Sequence, residues 1–165
     1  MDLQAIFDNF VRIVQRHYFD LHGRVGRSEF WYFVLAYMVM ALLASILGGI
    51  TGLPLELIYS LGMLLPAAGM GARRLQDTGR NGLLVWIPVV GGFAVQVYAT
   101  MAAVGSWFLG WFSWVVFGPL LGVLGTVVFV SWVVLVYFWI QRGEPGDNQY
   151  GSPPPRFDPS TRPAV

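Results

Sequence analysis

GLLVWIPVVGGFAVQVYATMAAVGSWFLGWFSWVVFGPLLGVLGTVVFVSWVVLVYFWI, residues 82–140, contains no Asp, Glu, Lys or Arg. With Asn81 and Gln141 the uncharged run is 61 residues long, roughly 90 Å if wholly helical at about 1.5 Å per residue. A bilayer core about 30 Å thick takes about 20 apolar helical residues to cross. Three crossings would use the whole run and leave nothing for turns, so two are expected, about 83–104 and 115–140. The break is placed at 105–110, where Trp107, Phe108, Trp111, Phe112 and Trp114 cluster as an interfacial aromatic belt does.

Two more charge-free runs precede this one, Phe30–Leu55 and Leu57–Ala72. They predict spans at about 30–49 and 55–75, joined by a turn at Gly48, Gly49, Gly52 and Pro54. Ser28 stands where an N-cap would, ahead of Glu29 and Phe30. Pro54 and Glu56 suit the first turn of a helix, where a missing amide is harmless and a carboxylate meets the positive dipole end. A bend is expected near Pro66. The fold class is therefore an all-α polytopic membrane bundle of four transmembrane helices. With 56% hydrophobic and 12% charged residues, an ordinary soluble domain is excluded.

N-terminal to the spans, Leu3, Ile6, Phe7, Phe10, Val14, Tyr18 and Leu21 recur at spacings of three and four, with Asp2, Asp8, Arg12, Arg16 and Asp20 between them. This predicts an amphipathic helix over 1–22, lying in the headgroup plane with its stripe toward the acyl chains. Packing on a partner domain fits the same period. After Gln141 the chain holds Pro145, Pro153, Pro154, Pro155, Pro159 and Pro163, so residues 143–165 are read as a motif-bearing turn and an extended tail. No cleavable signal peptide is expected, because the first apolar run begins only at Phe30.

Charge then sets the topology. All ten basic residues are arginine. With four spans, Arg12, Arg16, Arg24, Arg27, Arg73, Arg74, Arg80, Arg142, Arg156 and Arg162 share one side and the opposite turns have none. The positive-inside rule makes that side cytoplasmic, so both termini and the 73–82 loop are placed there. Net charge is +1, which gives no electrostatic case for nucleic acid. The chain has no cysteine, and His17 and His22 are five apart rather than the four of a helical metal pair, so no metal site or cofactor is expected.

Three polar segments thus meet on one face: Gly23–Trp31, reading GRVGRSEFW; Ala72–Arg80, reading ARRLQDTGR; and Gly143–Gly151, reading GEPGDNQYG. In order, and each beside a hydrophobic run, they resemble the bacterial inner-membrane family catalogued as domain of unknown function 805. The resemblance covers most of residues 10–155 and implies an inner-membrane location, but no chemistry. The chain departs from the family pattern at Gln76, where His is usual. It departs again at Leu83-Leu84, usually Trp-Trp, and at Ser152-Pro153-Pro154, where Asp-Pro is usual.

The candidate site follows from these segments. Arg73, Asp77 and Arg80 are spaced to pair along one helix face. Arg24, Arg27, Arg73, Arg74 and Arg80, tied by Glu29 and Asp77, form either a structural stop-transfer anchor or a network that binds an anion such as a lipid phosphate. Gly146, Asn148, Tyr150 and Gly151 form either a lid over that network or the first turn of a loose tail. Gln96, near mid-bilayer, calls for a hydrogen-bonding partner, and Gly118 with Gly122 offers close helix contact. The favoured function is a structural or interaction protein whose partner is anionic lipid or a membrane protein, with a homo-oligomer open. A subunit of an oligomeric transporter or channel is the alternative; it lacks the in-span ionisable residue of ion-coupled carriers. Catalysis ranks last, since Glu29 and Asp77 sit among arginines that keep them ionised.

Overall fold

The computed structural model describes residues 3–157; Asp2, Arg162 and the tail beyond Phe157 lie outside them. Five α-helices follow in order: α1 (Leu3–Arg16), α2 (Arg27–Thr51), α3 (Leu55–Asp77), α4 (Trp86–Leu109) and α5 (Phe112–Ile140), with a 3-10 turn, Gly82–Val85, leading into α4. Four helical stretches, Arg27–Thr51, Leu55–Asp77, Gly82–Leu109 and Phe112–Ile140, are long and apolar enough to cross a membrane. No strand forms among the described residues; Asn148 and Gly151 make one isolated bridge. The chain divides into two compact units, one of residues up to Gly82 and from Trp139 onward, the other Leu83–Phe138.

In the first unit, α2 starts earlier than its apolar run. Gly26, extended at φ −65° and ψ 154°, is the N-cap, and its carbonyl accepts from Phe30 N at 3.0 Å. Ser28 is therefore inside the helix, and its hydroxyl donates to Phe157 O at 3.1 Å instead of capping. Gly52 ends α2 in the left-handed region, φ +72°, returning its N–H to Gly48 O at 2.8 Å. This is the glycine C-cap geometry. The α3 helix continues through Pro66 to Asp77.

From Ala68 to Asp77 every residue of α3 is buried. Part of the cover is the segment after α1. Sequence period extends that helix to Leu21, but it stops at Arg16, because Asp20 organises a turn: its carboxylate accepts from His22 N at 3.2 Å and pairs with His17 Nδ1 at 3.1 Å. Such side-chain bonds compete with helical ones. Tyr18 then donates its hydroxyl to Gly62 O at 2.6 Å, and Leu21 O accepts from Gln76 Nε2 at 2.7 Å. A Cβ at Gly69 would lie 2.9 Å from Asp20 O, so only glycine lets this segment approach α3 so closely. The apolar stripe of α1 is divided: Ala5, Ile6, Phe10 and Ile13 are buried in protein, Phe10 stacking on Phe33 of α2 at 5.5 Å, while Leu3 and Phe7 remain exposed. The acyl-facing stripe read from the sequence is in this respect half a protein contact.

In the second unit, α4 and α5 turn at Gly110, whose φ of +56° and ψ of −141° suit glycine alone. Ser113 Oγ donates to Ala102 O at 2.8 Å and Tyr98 meets Phe117 edge-on at 5.4 Å. Both helices run further toward the turn than the expected 104 and 115. Trp107, Phe108 and Trp111 stand out from it, 89%, 85% and 77% exposed.

Candidate functional site

Arg24, Arg74 and Asp77 form the centre of the first unit's polar end. Their side chains are 1%, 0% and 5% exposed. Arg24 Nε donates to Asp77 Oδ1 at 3.0 Å, and Nη2 lies 3.0 Å from the same oxygen. Nη1 donates to Gly146 O at 2.6 Å and Gly151 O at 3.1 Å; Nη2 donates to Glu144 O at 2.5 Å. A guanidinium has five N–H groups in a planar fork, so Arg24 is saturated. Arg74 donates through Nε to Trp139 O at 3.0 Å, through Nη1 to Val25 O at 3.4 Å and to Asp77 Oδ2, and through Nη2 to Gln141 O.

One carboxylate and six backbone carbonyls thus hold two buried cations. Burying charge is tolerated only when it is paired and fully hydrogen-bonded, and that condition joins four places in the chain: the 24–25 segment, the end of α3, the end of α5, and the 144–151 loop. These two guanidiniums have almost no donor left for a phosphate. In the fold Arg24, Arg74 and Asp77 are tied to one another and to backbone carbonyls.

Local structure explains the register. The end of α3 closes in a Schellman-type pattern, Arg80 N to Leu75 O at 3.0 Å and Gly79 N to Gln76 O at 3.1 Å, with Gly79 at φ +73°. A Cβ on Gly79 would clash with the Glu144 carboxylate, and one on Gly143 with Asp77. Both glycines are needed for the loop to lie on the helix end. Glu144 N donates to Asp77 O at 2.9 Å. Asn148 Nδ2 reaches Gln76 O at 3.0 Å and Glu144 Oε2 at 2.8 Å, and its Oδ1 accepts from Tyr150 N at 2.9 Å. Gly146, Asn148, Tyr150 and Gly151 therefore make an ordered turn folded back on α3.

Other expected members go elsewhere. Asp77 pairs with Arg74 and Arg24, whereas helical spacing pointed to Arg73 and Arg80. Arg73 turns toward the opposite wall, with Nη2 on Met70 Sδ at 3.0 Å and Nη1 3.8 Å from Asp20. Arg80, past the helix end, donates to Thr78 O at 3.2 Å. Glu29 pairs with Arg12 at 3.1 Å, and Arg27 is exposed with no carboxylate partner among the described residues. Asp20 is pushed up by burial, but His22 N–H, the His17 ring and Arg73 outweigh this and hold its carboxyl below the usual carboxylate range.

Sequence reasoning missed Trp139, whose indole N–H donates to Gly71 O at 3.0 Å while its ring packs on Phe30 at 5.0 Å. Its carbonyl is also an Arg74 acceptor. The only signal was an indole in the last turn of a span. Val25 and Gln141 act through backbone carbonyls, which no residue type announces.

Four helices long and apolar enough to cross a membrane, with a buried arginine clamp in the first unit, define a multi-pass helical membrane protein. The chain belongs to the family described as Protein of unknown function (DUF805), which it matches over residues 18–152. It is similar to the inner membrane protein YhaH of Escherichia coli (strain K12), 24% identical over 153 residues, covering 88% of this chain and 95% of that one. It is also similar to the uncharacterized protein YiiR of the same strain, 27% identical over 144 residues, covering 84% and 88%. No solved structure matches. The relatives and the four spans together make this a bacterial inner-membrane, multi-pass protein.

Proposed function

We propose that this chain is a structural or interaction protein of the inner membrane, with its arginine-rich end in the cytoplasm and resting on anionic lipid headgroups. The observation that carries it is the division of the arginines. Arg24 and Arg74 are consumed inside the clamp, whereas Arg16, Arg27, Arg142 and Arg156 are exposed and have no carboxylate within ion-pair distance among the described residues. Arg27, Arg142 and Arg156 flank the clamp, since Pro154 and Pro155 run beside Gly26 and Phe157 contacts Tyr32 at 5.8 Å. By contrast the turns at 52–54 and 110–111 carry no arginine, and this asymmetry supports the orientation.

On this reading α1 lies at the headgroup level, with Leu3 and Phe7 toward the acyl chains and its other face held by α2 and α3. Lipid phosphate is the ligand that suits exposed guanidinium forks next to a bilayer. Glu29 and Asp77, the carboxylates nearest a catalytic role, are both engaged by arginines, which favours binding over catalysis.

The test is native mass spectrometry of the full chain extracted from membranes containing phosphatidylglycerol. Each basic residue near an anionic surface contributes about 1 kcal/mol, so the Arg27→Gln, Arg142→Gln, Arg156→Gln triple variant should bind that lipid roughly a hundredfold more weakly. Equal retention by the variant refutes lipid binding. A reporter fused after Val165 that is active in the periplasm refutes the orientation.

A further inference from the structure

Gln96 sits at the middle of its span, 14 residues from Gly82 and 13 from Leu109. That is about 20 Å from either end at 1.5 Å per residue, beyond the reach of a side chain snorkelling to the headgroups. It is exposed, and among the described residues its carboxamide has no hydrogen-bond partner. An amide in hydrocarbon without a partner is costly.

The α5 helix cannot supply one. It occupies the other side of α4, where a Cβ on Gly91 would lie 2.9 Å from Val128, Gly105 abuts Ser113 Oγ, and Tyr98 meets Phe117. These positions lie about 140–180° around the helix from Gln96 at about 100° per residue. On the Gln96 side, Gly92 and Thr100 stand one turn before and after. A Cβ on Gly92 would meet nothing within 4 Å, and the Thr100 hydroxyl is turned inward onto Gln96 O at 2.9 Å. On this face Gly92 leaves room beside one amide that has no hydrogen-bond partner among the described residues, with Phe93 exposed on its flank.

We infer that two copies of this chain associate in the membrane through the Gly92–Gln96–Thr100 face of α4, with the two Gln96 carboxamides bonded across the interface. The occupant is a second copy because a carboxamide carries both donor and acceptor: across a two-fold axis each amide satisfies the other, and glycine next to it permits the approach. The inference rests on α4 alone and is independent of lipid binding at the arginine-rich end.

Because the chain has no cysteine, single cysteines report self-contact only between copies. In native membranes under mild oxidant, Gly92→Cys and Thr100→Cys should form dimers, and Met101→Cys, exposed but about 140° away, should not. In liposomes, single-molecule photobleaching should show two-step spots for the unaltered protein. Gln96→Leu should weaken the dimer about tenfold, with Gln96→Asn partly restoring it. Cross-linking at Met101→Cys equal to that at Gly92→Cys overturns the assigned face. A dimer population unchanged by Gln96→Leu overturns the amide contact, and one-step spots throughout overturn the association.

Discussion

Replacing Asp77 with Asn keeps the shape of the clamp and removes its one negative charge. Arg24 and Arg74, 1% and 0% exposed, would then face each other across a neutral amide that offers one acceptor oxygen where the carboxylate offers two. Breaking a buried ion pair by removing one partner costs about 3–5 kcal/mol; here two cations share the anion, and the six carbonyl contacts keep the damage within that range. For a chain of this size 1 kcal/mol moves the melting temperature by about 2–4 °C, so a fall of roughly 6–20 °C is expected for the detergent-solubilised protein. The 144–151 loop should also loosen, because Glu144 N and the Arg24 donors that hold it all converge on Asp77 or its partner. Limited proteolysis at 142–157 would report this directly. Arg27→Gln, exposed and unpaired, is the matched control and should stay within about 0.5 kcal/mol. If Asp77→Asn melts within about 2 °C of the unaltered protein and its C-terminal segment resists protease equally, the clamp does not hold the loop and the argument fails.

Gly69→Ala places a methyl 2.9 Å from Asp20 O, a backbone atom that cannot swing away; overpacking of this kind costs about 1–3 kcal/mol, to be read in the same melting assay, whereas Gly62→Ala, with open space around it, should cost little. Asp20 has a folded pKa below its unfolded value, so the stability it contributes is present above the unfolded pKa and is lost as pH falls through the folded one. A pH series below about 4.5 should show this loss, and Asp20→Asn should flatten it.

Much of the architecture is legible because its causes are local. The uncharged runs declare the spans by themselves, one each in the first two and two in the run 81–141, since transfer into hydrocarbon is summed along a helix. The Gly79 and Gly110 breaks follow from backbone conformations that glycine alone adopts easily. Boundaries were harder. The α1 period continues to Leu21 in the sequence, yet Asp20 captures His22 N–H and ends the helix pattern early. Ser28 looks like a cap but is overtaken by Gly26, because the cap is chosen by where the chain turns, not by residue type.

The arginines show the limit. By itself the sequence determined that this protein has four helices long and apolar enough to cross a membrane, with every arginine outside the uncharged runs. Burial of apolar residues and exclusion of charge are additive properties of composition. Only the tertiary structure decided that Arg74 rather than its neighbour Arg73 meets Asp77, that Arg24 is saturated by carbonyls 120 or more residues away, and that the Gln96 carboxamide finds no hydrogen-bond partner among the described residues. A hydrogen bond has direction and short range, so its partner is set by which distant backbone the fold brings within 3 Å, and that is written in no single stretch of the chain.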